Sequence, residues 1–249
     1  MPVSFNAGVS NSTDASAAVT LALPSGILVN DVMLMSLTCF NYVAAAPAIA
    51  FSGAGGTWTL VPVTVGANPA VSSGGGLYSY GFAYYRVASA GDIGATLTVT
   101  GSGAGFDSTN TWWAAAVASY TTASTAGPVD VAGSAASYTP GGVPSFSVTC
   151  PVMTTVCTAD WGVYLGGGGP GIGSALSGPL LTRPRQNIVS DAGVGAAISD
   201  SGGFAGYSIG GGAFTTNWQG ASWLTGFSVG LAPADGGGSG PPFTGYQVG

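Results

Sequence analysis

A chain of 249 residues fits one large all-β domain or two smaller ones, and its formal net charge of −6 comes from nine aspartates against three arginines, with no glutamate, lysine or histidine. Those absences remove imidazole relays, imidazole zinc ligands, Schiff-base lysines and the phosphate-loop lysine, so any catalysis falls to Asp, Tyr, Cys, Ser, Thr and Arg. The acidic balance also speaks against a nucleic-acid groove, whose affinity comes largely from Lys and Arg contacts to phosphate, and Arg183-Pro184-Arg185 reads as an ion-pair site.

The first residues, MPVSFNAGVSNSTDAS, carry neither a basic stretch nor an apolar one, so no secretory leader is expected. Strand-like runs follow in close succession, at 3–9, 17–23, 31–40, 57–63, 77–87, 95–100, 112–121, 145–150, 160–165, 194–198 and 222–231. In ATLTVTG (95–101) Leu97 and Val99 alternate with threonines, which places one face in a core and one in a polar setting. DVMLMSLTCF (31–40) is apolar on both faces, so this strand is expected to be central and covered on both sides. Residues 32–52 lack charge, yet Asn41 and Pro47 interrupt them, and they read as strand plus loop rather than a membrane helix.

No helical stripe of apolar residues with a charged opposite face is present, and 44 glycines and 15 prolines punctuate the chain. The expected class is all-β, a sandwich or barrel. Glycine-rich stretches at 52–56, 73–76, 166–173 and 201–212 read as loops rather than linkers, so 1–233 is expected to be one domain. Residues 234–249, ADGGGSGPPFTGYQVG, read as an extended arm. Such a segment pays too much chain entropy to order alone, so Pro241, Pro242, Phe243 and Tyr246 are expected to pack on a neighbouring subunit.

The chemistry-bearing patterns are sparse. GGGGPGIGSALSG (166–178) resembles a phosphate loop in glycine content only, lacking the lysine and a following helix, and reads as a plain loop. Asp107, Asp191 and Asp200, in loop-like sequence, are the best carboxylates for a glycoside-hydrolysing pair, but no motif groups them. Asp107 and Asn110 in DSTN offer oxygens to calcium without any EF-hand spacing; no metal or cofactor is expected.

Cys39, Cys150 and Cys157 form no disulfide framework: Cys39 reads as a buried apolar residue, and Cys150 and Cys157 flank PVMTTV at a spacing that a turn can bridge. Among six tryptophans, Trp112, Trp113 and Trp218 are the candidates for a platform stacking on sugar rings; adjacent Trp112 and Trp113 must point to opposite faces of a strand, so one of them is core.

With a mean hydropathy of +0.45, Ser, Thr, Asn and Gly carry nearly all the solvation, and burial against other subunits is the favoured way to cover the remaining apolar surface. An ordered series of segments then points to a family. PSGILVND (24–31) leads into VMLMS; GGTWTLV (55–61) follows with Trp58; AYYRVASAGD (83–92) precedes ATLTVTG; WWAAAVASY (112–120) ends at Tyr120, before GPVD (127–130).

Across residues 17–165 this series resembles a β-sandwich module of bacteriophage virion proteins, both head-decorating and tail-associated. The resemblance implies an antiparallel β-sandwich of jelly-roll type and a non-enzymatic virion structural protein, a capsid decoration or minor tail subunit. It also implies partners among other capsid or tail subunits and homo-oligomeric assembly, while charge and hydropathy pattern lead us to expect no nucleic-acid or membrane partner. A glycan-binding module on a tail tip or bacterial surface is the alternative. The positions that carry the resemblance are scaffold positions, so no catalytic residue comes with it.

Overall fold

A computed structural model describes the chain apart from residues 1–2, 14–15, 55, 104–105, 107–108, 140–145, 156–159, 170–180, 188–193, 205–207, 210–211, 217–221 and 235–249. The described residues form eighteen strands and one 3-10 turn, Ala90–Asp92. In the first half the strands are β1 (Ser4–Thr13), β2 (Ala18–Ala22), β3 (Val32–Asn41), β4 (Ala48–Ser52), β5 (Thr59–Leu60), β6 (Ala70–Gly74), β7 (Leu77–Val87), β8 (Thr96–Ser102) and β9 (Thr111–Thr121). The second half contributes β10 (Val129–Thr139), β11 (Phe146–Thr149), β12 (Met153–Thr154), β13 (Trp161–Gly169), β14 (Leu181–Asn187), β15 (Gly195–Phe204), β16 (Ser208–Ile209), β17 (Ala213–Thr216) and β18 (Ser222–Leu231).

All pairing between named strands is antiparallel. A central sheet runs β1-β9-β3-β7-β5, with β6 also on β7; a short sheet runs β2-β8-β4; a long outer sheet runs β10-β18-β13-β15-β14. Two ribbons, β11-β17 and β12-β16, complete the set. The expected antiparallel all-β sandwich is present, and it is thicker than two sheets.

The reason lies in β3. Its Met33, Met35, Leu37 and Cys39 face a core shared with Val19, Leu21, Leu97 and Val99 of the short sheet. Its Val32, Leu34 and Phe40 face a second core shared with Val163, Leu165, Phe227 and Val229 of the long outer sheet. A strand apolar at both parities must be covered on both faces, and β3 is buried along its whole length. The outer face of the long sheet carries a third, smaller core, in which Tyr164 and Leu224 meet Val148 of β11 and Phe214 of β17.

Each of the eleven expected runs contains a strand. Seven more were not expected: β4, β6, β10, β12, β14, β16 and β17. Most are short, or built from Ala, Ser and Gly, or, as in β14, interrupted by proline, so their strand character comes from neighbours rather than from local pattern. The loop reading of two glycine stretches is corrected in part. Residues 201–204 belong to β15, and Gly166–169 belong to β13, where glycine lets sheets approach: a Cβ on Gly166 would run into the Phe214 ring, and one on Gly167 into the Thr38 hydroxyl.

Residues 32–52 begin as the expected strand and loop and end in the unexpected β4, and no helix among the described residues is long and apolar enough to cross a membrane. The arm, 235–249, lies outside the described residues, as do Pro241, Pro242, Phe243 and Tyr246 within it.

Candidate functional site

The segments that carry the family resemblance form the frame of the first half. Asn30 sits in the left-handed region at φ 73° and donates its N–H to Ala88 O at 2.9 Å, which closes the turn before β3. Asp31, buried, accepts from Leu28 N at 3.0 Å and from Asn6 Nδ2 at 2.7 Å, tying that turn to β1. In AYYRVASAGD, Asp92 Oδ2 accepts from Ser89 N at 2.7 Å, from Ser89 Oγ at 2.8 Å and from Arg86 Nη2 at 2.9 Å. Arg86 Nη1 in turn donates to Gly56 O at 3.1 Å, so one buried ion pair clamps the loop before Trp58 to the end of β7.

At one end of the sandwich the register of two sheets builds a row of aromatic rings. Phe40 lies directly across from Trp112 in the β3–β9 pair, and Tyr138 across from Trp223 in the β10–β18 pair, so each couple shares a sheet face. Ring centroids are 5.9 Å apart for Phe40 and Trp112, 5.3 Å for Phe40 and Trp223 and 5.3 Å for Tyr138 and Trp223, with Tyr42 5.9 Å from Trp112. The row therefore crosses from the central sheet to the long outer one. Its ends reach solvent: Tyr42 is 57% exposed and Tyr138 36%. Trp223 Nε1 donates to Gly74 O at 3.1 Å, and Gly74 has no room for a side chain because the Tyr138 ring lies against it. No carboxylate, thiol or guanidinium belongs to these five side chains, so the row offers aromatic faces for stacking and two tyrosine hydroxyls.

The three tryptophans expected as a sugar platform divide. Trp112 is half-buried within the row. Trp113 is corrected: it is fully buried between the central and short sheets, donates Nε1 to Ser16 O at 2.9 Å and presents no face to solvent. Neighbours on a strand point to opposite faces, and the face of β9 that carries Trp113 is the one the short sheet covers. Trp218 lies outside the described residues. Sequence reasoning missed Tyr42, Phe40, Trp223 and Tyr138 as partners of Trp112, because the strands involved are far apart in the chain.

Asp107 and Asp191 lie outside the described residues, and Asp200, expected in a loop, is instead a fully buried residue of β15 opposite Val163. Asn110, the other oxygen donor of the DSTN segment, donates its amide to Thr109 Oγ1 at 3.1 Å. Among the described residues no three His, Cys, Asp or Glu side chains come together as a metal site. Cys39 and Cys150 are buried free thiols, and Cys157 lies outside the described residues. Burial pushes the Cys150 thiol up to about 12 and holds Cys39 well above the ordinary thiol range. The backbone of Arg183-Pro184-Arg185 runs in β14.

A second concavity lies beside β4, an open groove of about 820 Å³ lined by Ile49, Phe51, Trp58, Leu60 and Tyr84, with the intervening 52–57 turn. Phe51 meets the Tyr84 ring edge-on at 4.9 Å and lies 6.1 Å from Trp58. Burial pushes the Tyr84 hydroxyl up to about 12. Trp58 is 4% exposed, and its buried Nε1 donor meets no acceptor among the described residues. A smaller concavity of about 320 Å³ lies at Leu28, Val29, Thr122 and Ala234, where the last described residue donates its N–H to Thr122 O at 2.7 Å.

Comparison with protein-family models gives no match for this chain, and comparison with curated proteins gives none either.

Proposed function

We propose that this chain is a non-enzymatic structural protein of a bacteriophage virion, a capsid decoration or minor tail subunit that assembles with neighbours through apolar surface and its C-terminal arm. The observation that carries the reading is the winding of residues 4–121. The chain passes from β1 of the central sheet to β2 of the short one, back to β3, out to β4, then through β5, β6 and β7 of the central sheet to β8 of the short one and back to β9, in the orders β1-β9-β3-β7-β5 and β2-β8-β4. This order resembles the winding of a jelly roll, an architecture found in viral capsid and lectin domains, and it supports the reading. Asp31, Trp58, Arg86 and Asp92, from the segments that resemble virion modules, all sit in turns or cores of this half, which suits a scaffold rather than a catalyst.

The test is an infection in which the chain carries an epitope tag. Density-purified particles carrying the tag at fixed stoichiometry support the reading, and particles free of it end it.

Glycan binding is the second reading, favoured by the aromatic row whose tyrosine ends reach solvent. Neutral sugars stack on such rings without needing charge. A glycan array with the wild-type chain and Trp112→Ala decides it: binding that disappears in a folded variant supports the platform, and an array without signal removes it.

A further inference from the structure

We propose that the groove beside β4 is a binding site for the sugar rings of a neutral glycan chain, with Phe51 as the stacking face and the Tyr84 hydroxyl as a hydrogen-bond partner. The site is separate from the aromatic row and does not depend on it. Phe40 of the row pairs with Ser79 of β7, so Tyr84 stands five residues, about 17 Å, further along that strand, and it faces the core on the opposite side of the central sheet.

Three observations meet at this groove. The first is a hydroxyl without a partner. Tyr84 is 6% exposed and lines the groove, and its hydroxyl makes no hydrogen bond among the described residues, although it is not sealed off as the Trp58 Nε1 is. A largely desolvated hydroxyl left unpaired is costly, and a ligand hydroxyl beside it removes that cost. Burial pushes the Tyr84 hydroxyl up to about 12, so at neutral pH it keeps its proton and can both donate and accept.

The second is a wall that is already in place. Phe51 is half-buried, and its ring meets Tyr84 edge-on at 4.9 Å with the enclosed Trp58 6.1 Å away. The turn before Thr57 is held by Arg86, whose Nη1 donates to Gly56 O at 3.1 Å and which is itself paired with Asp92. Groups fixed in this way lose little further freedom when a ligand binds.

The third is the character of the lining. Among the described residues none that lines the groove is charged, and the chain carries a net −6 with no lysine or histidine. An anionic ligand meets repulsion without a counter-charge, and a cation finds no carboxylate. A wholly apolar ligand packs on Ile49, Phe51 and Leu60 but leaves Tyr84 unpaired. A sugar ring matches both halves, because its C–H face stacks on an aromatic ring while its hydroxyls donate and accept.

Ser52, Thr57 and Thr59 add exposed hydroxyls to the lining. β4 is the last strand of its sheet and, among the described residues, pairs on one side only, with β8, so its other edge adds N–H and C=O groups. The volume of about 820 Å³ falls within the roughly 300–1,000 Å³ of small-molecule sites. The five residues of β4 extend about 17 Å, which gives room for rings in a row rather than a single sugar.

Titration of the full-length chain, followed by saturation-transfer NMR and calorimetry, tests this. The neutral probes are maltotetraose, cellotetraose, mannotetraose and galactotetraose, with sialyllactose as a charged probe and N-phenylnaphthylamine as an apolar one. The expected result is binding of at least one neutral tetrasaccharide, weakened about fivefold to tenfold by Tyr84→Phe, which removes the hydroxyl and keeps the ring. Leu60→Asp, which sets a charge on the exposed rim, weakens it as well, and circular dichroism checks that both variants are folded. No neutral probe bound, equal affinity in Tyr84→Phe, or preference for sialyllactose or N-phenylnaphthylamine overturns the proposal; a groove filled by another part of the chain gives the first of these. A sugar lost in Trp112→Ala but kept in Tyr84→Phe also overturns it and leaves the aromatic row standing, whereas dependence on Tyr84 alone leaves this site standing and removes the row.

Discussion

Gly167 of β13 faces Thr38 of β3 so closely that the glycine has no room for even a methyl group: a Cβ there would occupy the place of the Thr38 hydroxyl. Nearby, Ser36 Oγ donates to Gly166 O at 2.9 Å, and Thr225 Oγ1 donates to Gly167 O at 3.2 Å. The central and long outer sheets thus touch backbone to side chain at this point. Gly167→Ala is expected to destabilise the protein by about 1–3 kcal/mol, the usual cost of overpacking. Its denaturant midpoint should drop with the slope unchanged, whereas an unchanged midpoint would mean the sheets separate freely.

The Arg86–Asp92 pair is buried, with side-chain exposures of 6% and 0%. Removing one partner leaves a buried charge uncompensated, which typically costs about 3–5 kcal/mol. Arg86→Met is therefore expected to lower the thermal midpoint strongly, and Ser89→Ala, which removes a hydroxyl that donates to Asp92 and accepts weakly from Arg86 but leaves the ion pair, to lower it by much less. Equal effects would show that the loop is held by something other than the ion pair.

Trp112 and Trp113 should respond differently to truncation although they are adjacent. Trp113→Ala empties a fully buried site between two sheets and should cost about 3–5 kcal/mol. Trp112 is half-buried, so Trp112→Ala should cost clearly less while altering the near-ultraviolet circular dichroism of the row. Chemical denaturation of both variants checks this, and the opposite order would refute the assigned faces.

Thiol and phenol ionisation should make the fold weaken in alkali. Burial raises Cys39 and Cys150, and it raises Tyr80 to about 12, with smaller contributions from Cys39 and Tyr78. Since the native state keeps protons that the unfolded chain releases from about pH 8.5 for thiols and about 10 for phenols, stability is complete below those values. It falls as pH rises toward the folded values near 12. Urea midpoints at pH 8 and pH 10.5 should show a decrease. In a Cys157→Ser variant, a thiol reagent at pH 8 should label nothing until the protein unfolds; rapid native labelling would contradict the burial.

Much of this architecture was legible from local pattern. Apolar residues at both parities of 32–40 marked a strand covered on two faces, and Met33 and Leu34 do lie in different cores. The lack of His, Lys and Glu likewise needed no coordinates to narrow the chemistry. Side-chain alternation along a strand, with period two, states that Trp112 and Trp113 face opposite ways.

Which of the two is enclosed was decided by the sheets stacked on β9, and periodicity does not name a partner sheet. Gly166–169 looked like a loop because their strand character derives from Thr38 and Phe214, on distant parts of the chain, where closeness leaves room only for glycine. The aromatic row arises in the same way, from the registers of β3 with β9 and of β10 with β18 and then from the meeting of two sheets. Local sequence determined which residues turn inward; only the tertiary structure, through contacts between distant segments, decided what they meet there.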